Sequence, residues 1–288
     1  MNGFRYILVF FLSLIVCSVS AREKRSLAIG ISRYEDPSWS EINAEEDLYY
    51  VESLLNEYGF EDITFLKNEL ATKIRIVREF ERLIDRSGRG DIVYIHFSGH
   101  GQLVKDLDGD ESDGYDESWI PYDAYRKCCQ NDDGRKHLVD DEVNVFLSRL
   151  RRKVGDRGQI LVVVDACHSG GSSRGGDYGD PAIVSRGVSD VFVPEIKVGE
   201  GCLKSEDWIL LSACEDYQIN FEIKKPKAGK LTYCLYKLRK RLSRMSDEEL
   251  MEKLTEMMDS PEMLSPLPQN PRLGDGKGRY DVKDVFVR

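Results

Sequence analysis

The stretch ILVVVDACHSGG, residues 160–171, runs five apolar residues straight into an acid, a thiol, an imidazole, a hydroxyl and two glycines. A continuous apolar run of this length reads as a strand buried on both faces, which belongs in a parallel sheet covered by helices. In such sheets ligands bind outside the carboxyl ends of the strands, so Cys167 falls where chemistry is done. A second run, IVYIHFSGHG at 92–101, ends at His100 between two glycines.

The rest of the chain alternates in the same way. RSLAIGIS (25–32), ITFLKN (63–68) and DWILLSA (207–213) read as strands. AEEDLYYVESLLNEYGF (44–60) sets Leu48, Val51, Leu54 and Leu55 at helical spacing, and TKIRIVREFERLIDRSG (72–88) does so with Ile74, Val77, Phe80, Leu83 and Ile84. DDEVNVFLSRLRRKVG (140–155) is a third amphipathic helix. Strand–helix alternation predicts an α/β fold, an open, mostly parallel β-sheet with helices on both sides. Two segments break the rhythm: an acidic, turn-rich loop at 105–136 and a flexible Gly- and Ser-rich loop at 170–205. The tail is loop-like up to an expected last strand at 282–287, and one domain, residues 22–288, accounts for the whole.

Residues 1–21 stand apart. One early cation, Arg5, precedes an apolar run from Tyr6 to Val16 and a small-residue end at Val19, Ser20 and Ala21, the layout of a cleaved signal peptide. The run is shorter than the roughly 20 residues of a spanning helix, and Val16 before Cys17 disfavours a lipid anchor there. The expected location is therefore periplasmic or extracellular, with no stable membrane span. Over the whole chain 51 Asp and Glu face 41 Lys and Arg, a net charge of −10, and loss of Arg5 makes the remainder more acidic. That balance excludes nucleic-acid binding through a broad basic surface and suits a cationic substrate or a metal cation. Of seven cysteines, one is needed as a free thiol, too few remaining for a disulfide scaffold. Cys128 and Cys129 with His137 match no common zinc spacing.

His168 follows Cys167 directly, so the two side chains diverge, and with Ser169 it is better suited to shaping the turn. His100, at the end of another strand, can face the thiol. A Cys–His dyad works because the imidazole promotes formation of the nucleophilic thiolate and protonates the leaving amine. The backbone N–H groups of Gly101 and Cys167 are natural candidates for an oxyanion hole.

HFSGHG, DLDGDESDGYDESWIPYD, LVDDEV and VVVDACHSGG occur in the order and approximate spacing of the metacaspases, a family of caspase-like cysteine peptidases. The chain resembles that family from LAIGIS through NAEEDLYYVESLL to ILLSACEDYQINFE and GKLTYCLYKL. The resemblance implies a caspase-like three-layer α/β/α sandwich, with Cys167 as nucleophile and His100 as general base. It also implies an acidic substrate pocket built on Asp47 and Asp165, and cleavage after Arg or Lys, since paired carboxylates select a guanidinium or ammonium group. A loop carrying Arg174, Arg186, Lys197 and Lys204 would then be a candidate for self-cleavage.

The family resemblance further implies calcium, with Asp113 or Asp116 and the pair Asp140 and Asp141 as the matching acids; calcium takes about six to eight hard oxygen ligands. A true EF-hand is excluded: Asp106, Asp108, Asp110 and Glu117 hold positions 1, 3, 5 and 12, but Glu111 stands where the sharp turn needs glycine. Two rival readings remain: a catalytically silent, calcium-dependent binding or scaffold protein on the same fold, and an arginine-specific peptidase of the gingipain or clostripain type. Retention of both His100 and Cys167 opposes the first, and the long acidic loop opposes the second.

Overall fold

The first strand, β1 (Lys24–Gly30), leads into α1 (Ala44–Glu57), β2 (Asp62–Lys67), α2 (Lys73–Arg86) and β3 (Ile92–Ser98). Three short strands follow, β4 (Gly101–Lys105), β5 (Tyr115–Trp119) and β6 (Leu138–Val139), then α3 (Asp140–Val154) and β7 (Gln159–Asp165). The chain closes with β8 (Ile209–Ser212), β9 (Glu222–Lys224), β10 (Lys227–Gly229), α4 (Lys230–Leu238), α5 (Asp247–Met258) and β11 (Arg272–Asp275). This computed structural model describes residues 22–167, 184–196 and 207–287, apart from 108, 110, 112, 264 and 277. The leader with Cys17, and His168, Ser169, Arg174, Lys197 and Lys204, lie outside the described residues.

The central sheet runs in the order β11-β8-β7-β3-β1-β2. All pairings are parallel except that of the edge strand β11 with β8. Every residue of β3 and of β7 is buried, because helices cover both faces and alternate side chains feed two separate cores. Ala28, Tyr94, Leu161, Val163 and Leu211 pack with α1, α4 and α5. Leu27, Ile29, Val93, Ile95, Val162 and Val164 pack with α2 and α3. The result is the expected three-layer α/β/α sandwich.

Three expectations need correction. In α2 the buried face is Ile76, Phe80, Leu83 and Ile84, at the i, i+4, i+7, i+8 spacing of a helix, while Ile74 is 70% exposed. The terminal strand expected at 282–287 is a 3₁₀ turn over Val282–Asp284, with Phe286 buried against Tyr58 and Tyr94; the last strand is β11. The acidic loop is not all loop, since β5 lies within it and pairs with both β4 and β6. Among the described residues Cys128, Cys129, Cys214 and Cys234 are free thiols. Among the described residues no helix is long and apolar enough to cross a membrane.

Because β3 and β7 pair with Ser98 opposite Asp165, the two strands end level. His100 and Cys167 each stand two residues beyond that line. At the end of β1, a Cβ added to Gly30 would lie 2.6 Å from the Ala44 carbonyl oxygen and 2.8 Å from Leu48 Cγ, so this glycine lets the first turn of α1 close on the sheet. Gly30→Ala is expected to destabilise the protein by about 1–3 kcal/mol through overpacking and to shift the turn carrying Asp47. A melting curve indistinguishable from that of the unsubstituted protein would contradict it.

Candidate active site

His100 is fully buried in an aromatic seat. Its backbone N–H donates to the Tyr34 hydroxyl at 2.7 Å, and its ring stacks on Trp39 with centroids 5.2 Å apart. Nε2 lies 2.8 Å from the Ser40 carbonyl oxygen, which can only accept, so Nε2 carries the proton. Nδ1 is then the basic nitrogen, and it is buried without a hydrogen-bond partner. Burial pushes the imidazole pKa down to about 4, so the ring is neutral at ordinary pH, with the Nδ1 lone pair not already occupied by a proton. The Cys167 thiol is 2% exposed and donates to the Gln218 carbonyl at 3.0 Å. Cys214 donates to the same carbonyl at 3.6 Å.

The N–H of Cys167 and the N–H of Gly101 converge on a single acceptor, the carbonyl oxygen of Arg186, at 2.9 and 3.3 Å. Residues 184–196, part of the stretch expected to be a flexible loop, are laid across the strand ends. Ser185 bridges antiparallel to Phe221 and Gly187 bridges parallel to Gly101. Arg186 N–H donates to the Asn220 carbonyl and Glu222 N–H to the Val184 carbonyl, both at 2.9 Å.

The Arg186 side chain fills the acidic pocket and is itself fully buried. Nη1 lies 2.5 Å from Asp47 Oδ2 and 3.5 Å from Asp165 Oδ1. Nη2 and Nε both reach Glu222 Oε1, at 2.8 and 3.1 Å. Asp47 also accepts the Gly229 N–H at 2.9 Å. Asp165 accepts Asn220 Nδ2 at 2.8 Å, Thr232 N–H at 2.9 Å and Thr232 Oγ1 at 2.6 Å. Burial raises Asp47 to about 6 despite the guanidinium beside it. For Asp165 burial is outweighed by Arg186 and by the Asn220 and Thr232 donors, and its carboxyl is held below the usual range. The expected pair Asp47 and Asp165 is thus brought together. Glu222, Asn220, Thr232 and Gly229 were not foreseen as part of the pocket. Gly229 is needed there: an added Cβ would overlap Asp165 Oδ2 and lie 2.5 Å from Arg186 Nη1.

The acids expected to hold calcium are divided by the alternation of β5. Asp116 is buried on one face of the strand; Glu117, on the other, lines a cavity together with Asp140 and Asp216. Burial, then Asp216, with a contribution from Asp113, raises Glu117 to about 7. Burial, then Glu117, Asp141 and Glu111, raises Asp140 to about 7. Asp140 Oδ1 is a buried oxygen with no hydrogen-bond partner, Asp141 is buried in the same first turn of α3, and the exposed Asp113 accepts the Tyr115 N–H at 3.1 Å. Among the described residues no three His, Cys, Asp or Glu side chains are gathered closely enough to hold an ion. The donor chemistry nevertheless fits a hard cation, because these are carboxylate oxygens whose burial and mutual repulsion raise Glu117 and Asp140 even with Arg272 acting in the opposite sense on Glu117.

Comparison with known proteins agrees with this architecture. The family model described as "Metacaspase, peptidase C14 domain" matches residues 24–173. Metacaspase-1B of Aspergillus fumigatus is 33% identical over 203 residues, which is 65% of this chain and 47% of that protein. Metacaspase-1 of Meyerozyma guilliermondii is 30% identical over 156 residues, 51% of this chain and 35% of that protein. The chain spans about half the length of the first of these curated relatives and less of the second. Among solved structures, protein GSU0716 from Geobacter sulfurreducens superposes with a TM-score of 0.63 at 23% identity, covering 88% of this chain and 92% of that one. Caspase-1 from Spodoptera frugiperda does so with 0.59 at 11% identity, covering 89% of each. The fold is that of the caspase-like cysteine peptidases. Within that class, the chain belongs to the metacaspase family.

Asp140 supplies a test of the acid cluster. Its folded pKa of about 7 lies above the usual 3.8, so the folded state binds the extra proton and stability falls as pH rises through that interval. Asp140→Asn is therefore expected to melt higher than the unsubstituted protein at about pH 8 in chelator, with the gap closing by about pH 4. Equal melting temperatures across the range would refute the repulsion.

Proposed function

We propose that this chain is a cysteine endopeptidase that cuts after arginine, and less readily after lysine, and that the bond between its own Arg186 and Gly187 is its first substrate. One observation carries the reading: Arg186 sits with its guanidinium among Asp47, Asp165 and Glu222 and its carbonyl oxygen on the N–H groups of Cys167 and Gly101. That is how the basic residue of a substrate would be held, side chain in the specificity pocket and scissile carbonyl in the oxyanion hole. Three carboxylates contacting Nε, Nη1 and Nη2 favour the planar fork of arginine over the single ammonium of lysine.

In the proposed reaction His100 Nδ1 takes the Cys167 proton, and the thiolate attacks the carbonyl carbon of the basic residue. The tetrahedral oxyanion rests on the two N–H groups while His100 returns the proton to the leaving amine, and the C–N bond breaks to leave a thioester. Water, deprotonated by the same imidazole, then releases the acid and the thiol. The Ser40 carbonyl supports this role because it fixes the tautomer with Nδ1 free. Calcium, when bound, would supply positive charge to the acid cluster. Glu117 and Asp140, which line one cavity, would be drawn toward it, with Asp113, Asp116 and Asp141 close to them in sequence. Export, supported by the layout of residues 1–21 alone, belongs to the same proposal.

The test uses the chain from Arg22 onward, thiol reduced, in calcium or in chelator. Mass spectrometry is expected to find a break between Arg186 and Gly187 in calcium and slower cutting in chelator. Cys167→Ala is expected to leave the bond intact, a loss of at least about a thousand-fold, and Arg186→Gln to abolish that cut while leaving cleavage of arginine peptides. An intact chain that also cleaves no arginine peptide would instead support the binding-protein reading.

A further inference from the structure

The same segment continues past the nucleophile, and its C-terminal side is held at more points than the pocket alone requires. A Cβ on Gly187 would overlap the Cys167 carbonyl oxygen and lie 2.9 Å from Cys167 Cβ. Cys167 is buried two residues beyond the end of β7, and neither its carbonyl nor its Cβ can swing aside as the far end of a flexible side chain could. Val188 packs on the small apolar cluster of Trp39, Ile120 and Ala124. Gln102 Nε2 donates to the Asp190 carbonyl at 3.0 Å, and Arg126 pairs with the Asp190 carboxylate at 2.8 Å. The segment then rejoins β4: Phe192 N–H donates to the Leu103 carbonyl and Lys105 N–H to the Phe192 carbonyl, both at 2.8 Å. The Phe192 side chain is 1% exposed, packed with Val104 and Val139 and with Cys128, its ring centroid 4.0 Å from that of His137.

β4 is an edge of its three-stranded sheet, and an edge strand is a ready template for an extended peptide. Main-chain hydrogen bonds then supply affinity, and pockets for particular side chains supply specificity. We infer that β4 and the Phe192 pocket form a recognition groove for the C-terminal side of substrates. It would select peptides in which glycine follows the basic residue and an aromatic residue stands five positions beyond that glycine. The inference rests on the proposed peptidase reading and adds to it a substrate class. Of the intervening four residues Val188 and Asp190 are held as described, while the segment bulges between its two bridges to β4, Gly101 with Gly187 and Val104 with Phe192.

The test varies the peptide, so folding of the enzyme is not at issue. Quenched fluorescent peptides carry VSRGVSDVFV, the sequence of residues 184–193, with single replacements of the arginine, the glycine or the phenylalanine by alanine. They are assayed with the calcium-loaded full chain from Arg22 and, in parallel, with its Phe192→Ala form, whose own strand no longer fills the pocket. Losing the phenylalanine is expected to lower kcat/KM by about ten-fold or more, the scale of one buried aromatic side chain. Replacing the glycine is expected to lower it by about a hundred-fold, as a clash with fixed backbone should. Phe192→Ala enzyme should cut the parent peptide faster than the unsubstituted chain does. Equal cleavage of the parent, glycine-replaced and phenylalanine-replaced peptides, with the arginine-replaced one resistant, would overturn the groove and leave the peptidase standing. Failure to cut any of them would overturn both.

Discussion

One buried guanidinium holds the functional end of this molecule together. Arg186 draws Asp47 from the start of α1, Asp165 from the end of β7 and Glu222 from β9 onto a single cation, with Gly229 at the end of β10 admitting the approach. Three carboxylates against one positive charge would not be tolerated in a dry interior unless the excess were compensated. The compensation is visible. Asn220 and Thr232 donate to Asp165, Gly229 and Asn43 donate backbone N–H groups to Asp47 and Glu222, and Asp47 is the member whose pKa rises, to about 6, so that it can shed its charge first. Removing the guanidinium would leave this set without its counter-ion, so the pocket is built around a cation even before any substrate arrives.

That constraint explains which parts of the site could be read from the sequence. Asp165 and Cys167 are adjacent to an unmistakable apolar run, and Asp47 opens a clean amphipathic helix, so local pattern placed all three at element ends, while the pocket role of the two acids came from the family resemblance. Glu222 lies in a short hairpin strand in the stretch INFEIKK, where nothing local distinguishes it from a solvent-facing acid. Its role comes from pairing with a segment about 36 residues earlier, which no local period encodes. The same holds for β4 to β6, whose residues are short and mixed in character and become strands through one another. In α2 the pattern was real but its phase was ambiguous. Ile74 and Ile76 lie on opposite sides of a helix, and only the packing of α2 against α3, with Phe80 stacked on Phe146, chooses between them. The tail VKDVFV has the composition of a strand, yet β11 already occupies the sheet edge beside β8, and Phe286 is spent filling space against Tyr58 and Tyr94 instead.

A cut after Arg186 would not divide the fold. The bond lies between β7 and β8, which pair side by side in the central sheet, so the two pieces would remain joined by that pairing and by the cores on either face. What changes is the tether on each side of the break. The C-terminal piece keeps Asp190, Phe192 and the bonds to β4. The N-terminal piece keeps the guanidinium and little more than the main-chain bonds of Val184 and Arg186. Its new terminus carries a carboxylate where a neutral carbonyl had been, in a site already rich in negative charge. The electrostatics therefore favour departure of Arg186 first, and the strand beyond it, no longer tied to the pocket, must then leave β4 before a substrate can take its place. An emptied pocket would lose the guanidinium that most strongly opposes the burial of Asp165, leaving its carboxylates without a counter-ion and so suited to capture the next guanidinium.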